Sequence, residues 1–269
     1  KRSTENHRKK NMSRVQDVVK ALERAETAFN EIMKIEGCVT FEPDEIYSPG
    51  KQDGHGHDDP EPFNVIASGD NLEFMEYLIK EQGLNGKLQL IYVDPPFFSN
   101  SRYQASVRLE TEKLGKSQII KTGAYDDTWE DSLEQYLTML AIRFMFMKEL
   151  LADTGCIWVH LDWHGSHYVK LLLDEIFGNE NFINEVVWTY KSGGASKKSF
   201  ARKHDTLLYY GKTSNYKFNP IKEKSYNRDL KPYRFKGVEE FEDETGWYTM
   251  VNMKDVWNID MVGRTSRER

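Results

Sequence analysis

Hydrophobic positions change their period along the chain. Between residues 13 and 34, Val15, Val18, Leu22, Ala25, Phe29 and Ile32 recur at spacings of 3, 4, 3, 4 and 3, which predicts a helix with an apolar seam. The seam is short of three heptads, so it favours a helix packed on its own domain over one docked on a partner. Residues 1–12 are polar and basic and read as a disordered start. Residues 42–62 hold Pro43, Pro49, Gly50, Gly54, Gly56, Pro60 and Pro62, the composition of a linker. His55, His57, Asp58 and Asp59 sit inside it. A mobile polar loop is favoured there over a metal site, and no metal centre is expected.

After the linker, short apolar runs alternate with helical patterns. Residues 64–68 predict a short strand, and Asp70 or Asn71 then caps a helix with Leu72, Met75, Leu78 and Ile79 on one face. Residues 87–93 end in Leu90-Ile91-Tyr92-Val93, the continuous apolar run of a buried parallel strand. Asp131 with Glu134 reads as a capping box for a helix buried along Leu133, Tyr136, Leu137, Leu140, Phe144, Met147 and Leu151. A buried strand follows at 156–161, then a helix through Val169, Leu172 and Ile176 stopped by Gly178, then a strand at 182–190. Repeated βαβ units predict an α/β protein with a doubly wound parallel sheet. Ligands then belong at the carboxyl ends of the strands.

Composition sharpens this picture at three points. The 269 residues are 39% hydrophobic, 13% aromatic and 30% charged, which excludes a disordered chain and allows one large domain or two small ones. No apolar run approaches the roughly 20 residues of a membrane helix. No secretory h-region opens the chain, and Cys38 and Cys156 form no framework. A reducing cytoplasm is therefore expected, with no membrane contact. The net charge of −6 hides an asymmetry: residues 191–236 carry thirteen Lys and Arg against three acids, interleaved with Tyr and Phe. Such a stretch predicts either a polyanion-binding face or a solvated β-rich surface.

The sharpest chemical feature is Asp94-Pro95-Pro96-Phe97, directly after the strand ending at Val93. Two prolines fix φ and remove two backbone donors, so the segment is stiff and its carbonyls face outward partners. An acidic acceptor, a rigid carbonyl and an aromatic face are held together. That set suits a flat ring bearing an exocyclic amino group. Asp94 and the Pro95 carbonyl accept its hydrogens while Phe97 stacks on the ring. The bland alternative is a proline turn with a capping Asp.

At these residues the sequence resembles the DNA amino-methyltransferases that act on adenine N6 or cytosine N4, in the permuted order of type III modification subunits. The matching pieces are Ser68-Gly69-Asp70-Asn71, Ile91 through Phe97, Trp129 with Tyr136-Leu137 and Arg143, Cys156 through Asp162, Leu173 through Gly178, and Phe182 through Trp188. The resemblance implies a Rossmann-like methyltransferase sheet, incomplete in this chain, with an N-terminal helix and a basic recognition segment. It implies S-adenosylmethionine as cofactor, with Asp70, Asn71 and Asp94 in its site. Asp94, Pro95, Pro96 and Phe97 become the catalytic residues acting on a base flipped out of double-stranded DNA. Asp rather than Ser before Pro-Pro favours adenine over cytosine. The expected division is a helix and linker over 1–62, a catalytic region over 63–190 and the start of target recognition over 191–269. Lys197, Lys198, Arg202 and Lys203 are the expected phosphate contacts. The polar stretch 98–127, with Ser99, Asn100, Arg102 and Tyr103, is expected to order over the flipped base or to be a plain surface loop.

The family also carries a glycine-rich FxGxG loop for the methionine part of the cofactor, and this sequence has none. A second chain or a missing C-terminal half is expected to supply it, and a restriction subunit is a possible further partner. The competing readings are a non-catalytic DNA-recognition or assembly subunit, and methylation of RNA or of a protein glutamine. The intact Asp94–Phe97 motif argues against the first, and the basic stretch favours DNA over the second.

Overall fold

A computed structural model describes residues 13–42, 64–110, 117–129, 132–191 and 197–262. The linker with His55, His57, Asp58 and Asp59, the capping candidate Asp131, and Gly193-Gly194 lie outside the described residues. Helix α1 is Arg14–Lys34 and α2 is Asn71–Lys80. Strand β1 is Leu88–Val93, and β2 (Arg102–Glu110) and β3 (Ser117–Asp126) form a hairpin. Then come α3 (Leu133–Leu150), β4 (Leu151–Leu161), α4 (Ser166–Phe177), β5 (Phe182–Thr189) and β6 (His204–Gly211). Strands β7 (Lys222–Tyr226), β8 (Phe241–Glu242), β9 (Trp247–Asn252) and β10 (Val256–Asn258) complete the order.

The helices arise where the pattern places them. The seam of α1 buries Val18 and Ala25, with Leu22, Phe29 and Ile32 packed beside them, while Val15 stays exposed. It lies on α3 of the same chain, and Phe29 meets Phe146 edge to face at 5.0 Å. Asp70 caps α2 by accepting from Leu72 N. The cap of α3 is Ser132, one residue later than expected, and its hydroxyl accepts from Gln135 N. Ser132-Leu133-Glu134-Gln135 is thus the working capping sequence. Leu151 belongs to β4 rather than the helix, because its extended ψ of 137° ends α3. Gly178 closes α4 with φ 93°, where an added Cβ would strike the Glu180 carboxylate at 2.5 Å.

The main sheet has the order β1-β4-β6-β5-β10. The α/β class and its parallel component stand: β1 pairs parallel with β4, and β10 with β5. What the alternating pattern does not show is β6, which enters antiparallel between β4 and β5. The segment 191–269 therefore contributes an interior strand, β6, and an edge strand, β10, to the same sheet. Residues 206–211 of β6 are buried, so their apolar run Leu207-Leu208-Tyr209-Tyr210 is sheet core and not recognition surface. Residues 64–68, expected as a strand, form no ladder among the described residues, and Ile66 is exposed. Between β6 and β10, strands β7, β9 and β8 make a separate three-stranded sheet.

The two faces of the main sheet differ. Ile157, Val159 and Leu161 of β4 and Leu208 and Tyr210 of β6 join the core formed with α1, α3 and α4. The alternate positions point the other way. There Trp158 stacks on Tyr209 at 4.1 Å and meets Trp257 of β10 at 5.9 Å. On β1 the same face carries Leu90 and Tyr92, which are 59% and 57% exposed. Among the described residues the helices that enter the core share one side, so the second layer of a doubly wound sheet is represented here by this aromatic row.

Candidate active site

The site lies at the carboxyl edge of β1 and β4. Val93 pairs with Val159, which brings Asp94 beside His160 at the next register position. The Asp94 side chain is 62% exposed, although Pro95 behind it is buried. The motif is a fixed turn built from several anchors. The buried Tyr136 hydroxyl of α3 donates to Pro96 O at 2.8 Å. Fully buried Asp127 accepts from Phe98 N at 3.2 Å, Ser99 N at 2.7 Å, Ser99 Oγ at 2.6 Å and Trp129 Nε1 at 2.8 Å. These donors compensate a carboxylate that burial would otherwise penalise. The bond to Phe98 N also holds that residue at φ 64°, a left-handed conformation that residues with a side chain rarely adopt.

Within the polar stretch 98–127, the described residues of β2 and β3 pair as antiparallel strands and are not an irregular loop. The base of the pair is closed by Asp127 N donating to Ser101 O at 3.0 Å and by the Arg102–Asp126 ion pair at 3.1 Å. It springs from the turn that carries Phe97, so the hairpin and the candidate base-stacking ring share one anchor. The Phe97 ring meets His160 edge-on at 5.4 Å.

His160 was not singled out in the sequence for any role. Its Nδ1 lies 3.4 Å from Asp94 Oδ1 and its Nε2 lies 3.3 Å from Asp205 Oδ2. Asp205 in turn accepts from the Tyr190 hydroxyl at 3.0 Å. Burial works against the charged ring, but the hydrogen bonds and charges of Asp205 and Asp94 outweigh it and raise the His160 pKa to about 9. Burial first, then the hydrogen bond to Asp205, pushes Tyr190 up to about 12. The one available signal is position: His160 alternates with the apolar Cys156 and aromatic Trp158 on the outward face of its strand.

The expected cofactor residues sit at the start of α2. Asp70 Oδ1 accepts from Leu72 N at 2.8 Å and from the Arg143 guanidinium at 3.0 Å, while Arg143 Nε donates to Asn71 Oδ1 at 2.7 Å. The Asp70 side chain remains half exposed. The structure gives no contact between this pair and Asp94.

The expected phosphate contacts are brought to the carboxyl edge, because β6 runs antiparallel and 197–203 lead into its start. Lys197, Lys198 and Arg202 are exposed and Lys203 is half-buried. Arg202 rests over the Trp163 ring at 3.8 Å. Not all of the positive stretch shares this edge. Lys212 follows β6 at the opposite end, where its Nζ donates to Leu151 O at 2.6 Å. The basic segment is thus divided by a buried strand and is not one continuous face.

Sequence comparison assigns this architecture. The DNA methylase family of N6/N4 methyltransferases matches residues 88–269. The chain belongs to the N6/N4 DNA methylase family. It is 34% identical over 163 residues to the type II methyltransferase M.EcaI of Enterobacter cloacae, covering 60% of this chain and 32% of the relative. It is 30% identical over 222 residues to a probable type III restriction-modification enzyme HindVI Mod subunit of Haemophilus influenzae, covering 78% and 26%. The EcoP15I Mod subunit of Escherichia coli is 26% identical over 55% of this chain and 24% of its own. The chain therefore spans about a third or less of the curated relatives it matches. Among solved structures, an M1.HpyAVI–SAM complex aligns with a TM-score of 0.34 at 14% identity over 60% of each chain. S-adenosylmethionine is the cofactor of the N6/N4 DNA methylases, and the Asp94 turn lies within the residues that match the family.

Proposed function

We propose that this chain carries the amine-acceptor side of a DNA methyltransferase that methylates adenine N6 of a flipped-out base within a restriction-modification system. One observation carries the reading: an exposed carboxylate, Asp94, is held beside the Phe97 ring on a turn fixed by Tyr136 and Asp127. An exocyclic amine is a poor nucleophile because its lone pair is delocalised into the ring. Asp94 and the Pro95 carbonyl accept its hydrogens, favour a pyramidal nitrogen and localise that lone pair. Phe97 orients the ring by stacking. The target amine is hidden within a duplex, so the base must leave the stack.

The residues present fit S-adenosylmethionine in their chemistry. Asp70 is a half-exposed acceptor whose Oδ1 is ordered by Leu72 N and Arg143, which suits the adenosine part. Asn71, tied to the same Arg143, stands beside it. When bound, the cofactor supplies an electrophilic methyl group. Asp94 holds the target nitrogen in line with it until the proton leaves. The methionine part needs a cradle that these residues do not provide, and the FxGxG pattern is absent from the sequence. A second chain or a further part of the protein supplies it. The exposed Leu90 and Tyr92 of β1, at the edge of the sheet, support further sheet being added there.

Asp94→Ala in the full-length protein tests the assignment. The lost acceptor acts mainly as the amine becomes nucleophilic, so kcat should fall about 10²-fold or more with duplex affinity nearly intact. Duplexes offering only adenine or only cytosine targets separate N6 from N4 transfer. Equal turnover in the variant at saturating cofactor would overturn the role of Asp94, and transfer to cytosine alone would replace adenine as the substrate.

A further inference from the structure

The amine-acceptor reading uses Asp94 but gives no work to the histidine next to it. His160 is buried on the outward face of β4 and has a carboxylate at each ring nitrogen: Asp94 Oδ1 at Nδ1 and Asp205 Oδ2 at Nε2. Behind Asp205 stands the Tyr190 hydroxyl, at 3.0 Å. The row Tyr190–Asp205–His160–Asp94 therefore crosses from the end of β5 through β6 and β4 to the end of β1. Its members close to chemistry are exposed and its far members are not: the Asp94 side chain is 62% exposed, that of Asp205 13%. The ring is confined on its flanks by Phe97 at 5.4 Å and Trp188 at 5.6 Å.

We propose that His160 is a positioning residue for the amine acceptor: anchored by Asp205 through Nε2, it holds Asp94 Oδ1 through Nδ1 and turns the remainder of the carboxylate toward the target amine. The inference rests on the methyl-transfer reading above. A neutral imidazole donates from one nitrogen only, so it would set a lone pair against the second carboxylate. With an acceptor at both nitrogens, the doubly protonated ring satisfies both. The groups that face it agree with this. Asp94 comes from the end of β1, Asp205 from β6, and the Tyr190 hydroxyl donates to Asp205 rather than competing for the ring. Tyr92 of β1, held above its ordinary value by burial and then by Asp94 and Asp205, stays neutral. Asp162, directly after His160's strand, acts on Tyr190. The ring charge is thus matched by carboxylates on two sides, and it fixes one oxygen of a side chain that is otherwise free to rotate in solvent.

The arrangement makes a double demand on experiment, because a ring that only cross-links the sheet would give a different result. In the full-length protein with duplex DNA, His160→Gln should lower kcat by about 10- to 10²-fold with KM values for DNA and S-adenosylmethionine little changed, as expected for a misaimed group. The wild-type kcat profile should fall on an alkaline limb as the ring loses its proton, and the variant should lack that limb. Asp205→Asn keeps the shape of the anchor and removes its charge, so it should move the limb to lower pH. Independently of turnover, the His160 ring resonances should titrate far above a free histidine in the wild type and shift downward in Asp205→Asn. A His160→Gln enzyme with unchanged kcat and an unchanged limb would overturn the proposal. So would a ring that titrates at its ordinary value and ignores Asp205→Asn, a result that stands even where His160→Gln does not fold. A wild type that transfers no methyl to DNA would count against the proposed function, while the ring titration would still decide the His160 arrangement.

Discussion

The Tyr136 hydroxyl donates to Pro96 O at 2.8 Å, and a Cβ added at Gly165 would sit 2.8 Å from that same hydroxyl. The turn that presents Asp94 is therefore held from α3, and the space around the bond is kept open by the residue before α4. Two substitutions probe one contact. Tyr136→Phe leaves the Pro96 carbonyl without its partner and should cost about 1–3 kcal/mol of stability. Gly165→Ala should displace the hydroxyl and lose a similar share. Because both act on one bond, their losses in a double variant should be clearly less than additive, which denaturant unfolding measures.

Asp127 should behave as the keystone of the hairpin. It accepts from Phe98 N, Ser99 N, Ser99 Oγ and Trp129 Nε1. Asp127→Asn replaces one acceptor oxygen by a donor, facing groups that also donate. The expected loss is about 2–3 kcal/mol, since charged hydrogen bonds are removed in a buried site. Amide exchange at Phe98 and Ser99 should quicken before global unfolding, and Trp129 fluorescence should shift. Unaltered exchange at those amides would show that the turn is held by other means.

Stability should depend on pH through His160. Its folded pKa of about 9 exceeds the ordinary 6.5 of the unfolded chain. The contribution is thus fully present below about pH 6.5 and is lost as pH rises through about 9. Denaturant midpoints at pH 6 and pH 10 should differ more in the wild type than in His160→Gln. Equal differences would assign the alkaline loss to other groups.

The carboxyl-edge cations should contribute to duplex affinity without reading sequence. Replacing Lys197, Lys198, Arg202 and Lys203 by Ala should weaken specific and random duplexes alike. Each lost phosphate contact should reduce the salt slope of log K by roughly 0.9. The same change at Lys212 and Lys217 should leave the slope unchanged, because Lys212 is bound to Leu151 O at the other end of β6 and Lys217 N donates to Thr154 O there.

The local elements and the rigid Asp94–Phe97 turn are legible in the amino-acid sequence alone. The seam of α1, the cap at Asp70, the buried face of α3 and the stop at Gly178 follow from side-chain period and cap chemistry within one or two turns. The stiffness of Asp94-Pro95-Pro96-Phe97 is a property of proline at any position, and strand β1 before it is legible as an apolar run. Tertiary structure decided what depends on pairing across the chain. The insertion of β6 between β4 and β5 joins segments some 45 residues apart, as His160 and Asp205 are, and no local period encodes which strand lies beside which. That pairing turned part of a basic stretch into sheet core and separated its charges to opposite ends. It also set Asp205 and Asp94 on either side of His160. A histidine on a strand has the same sequence signature whether it faces water, a ring or two carboxylates, and only the register of its neighbours distinguishes them.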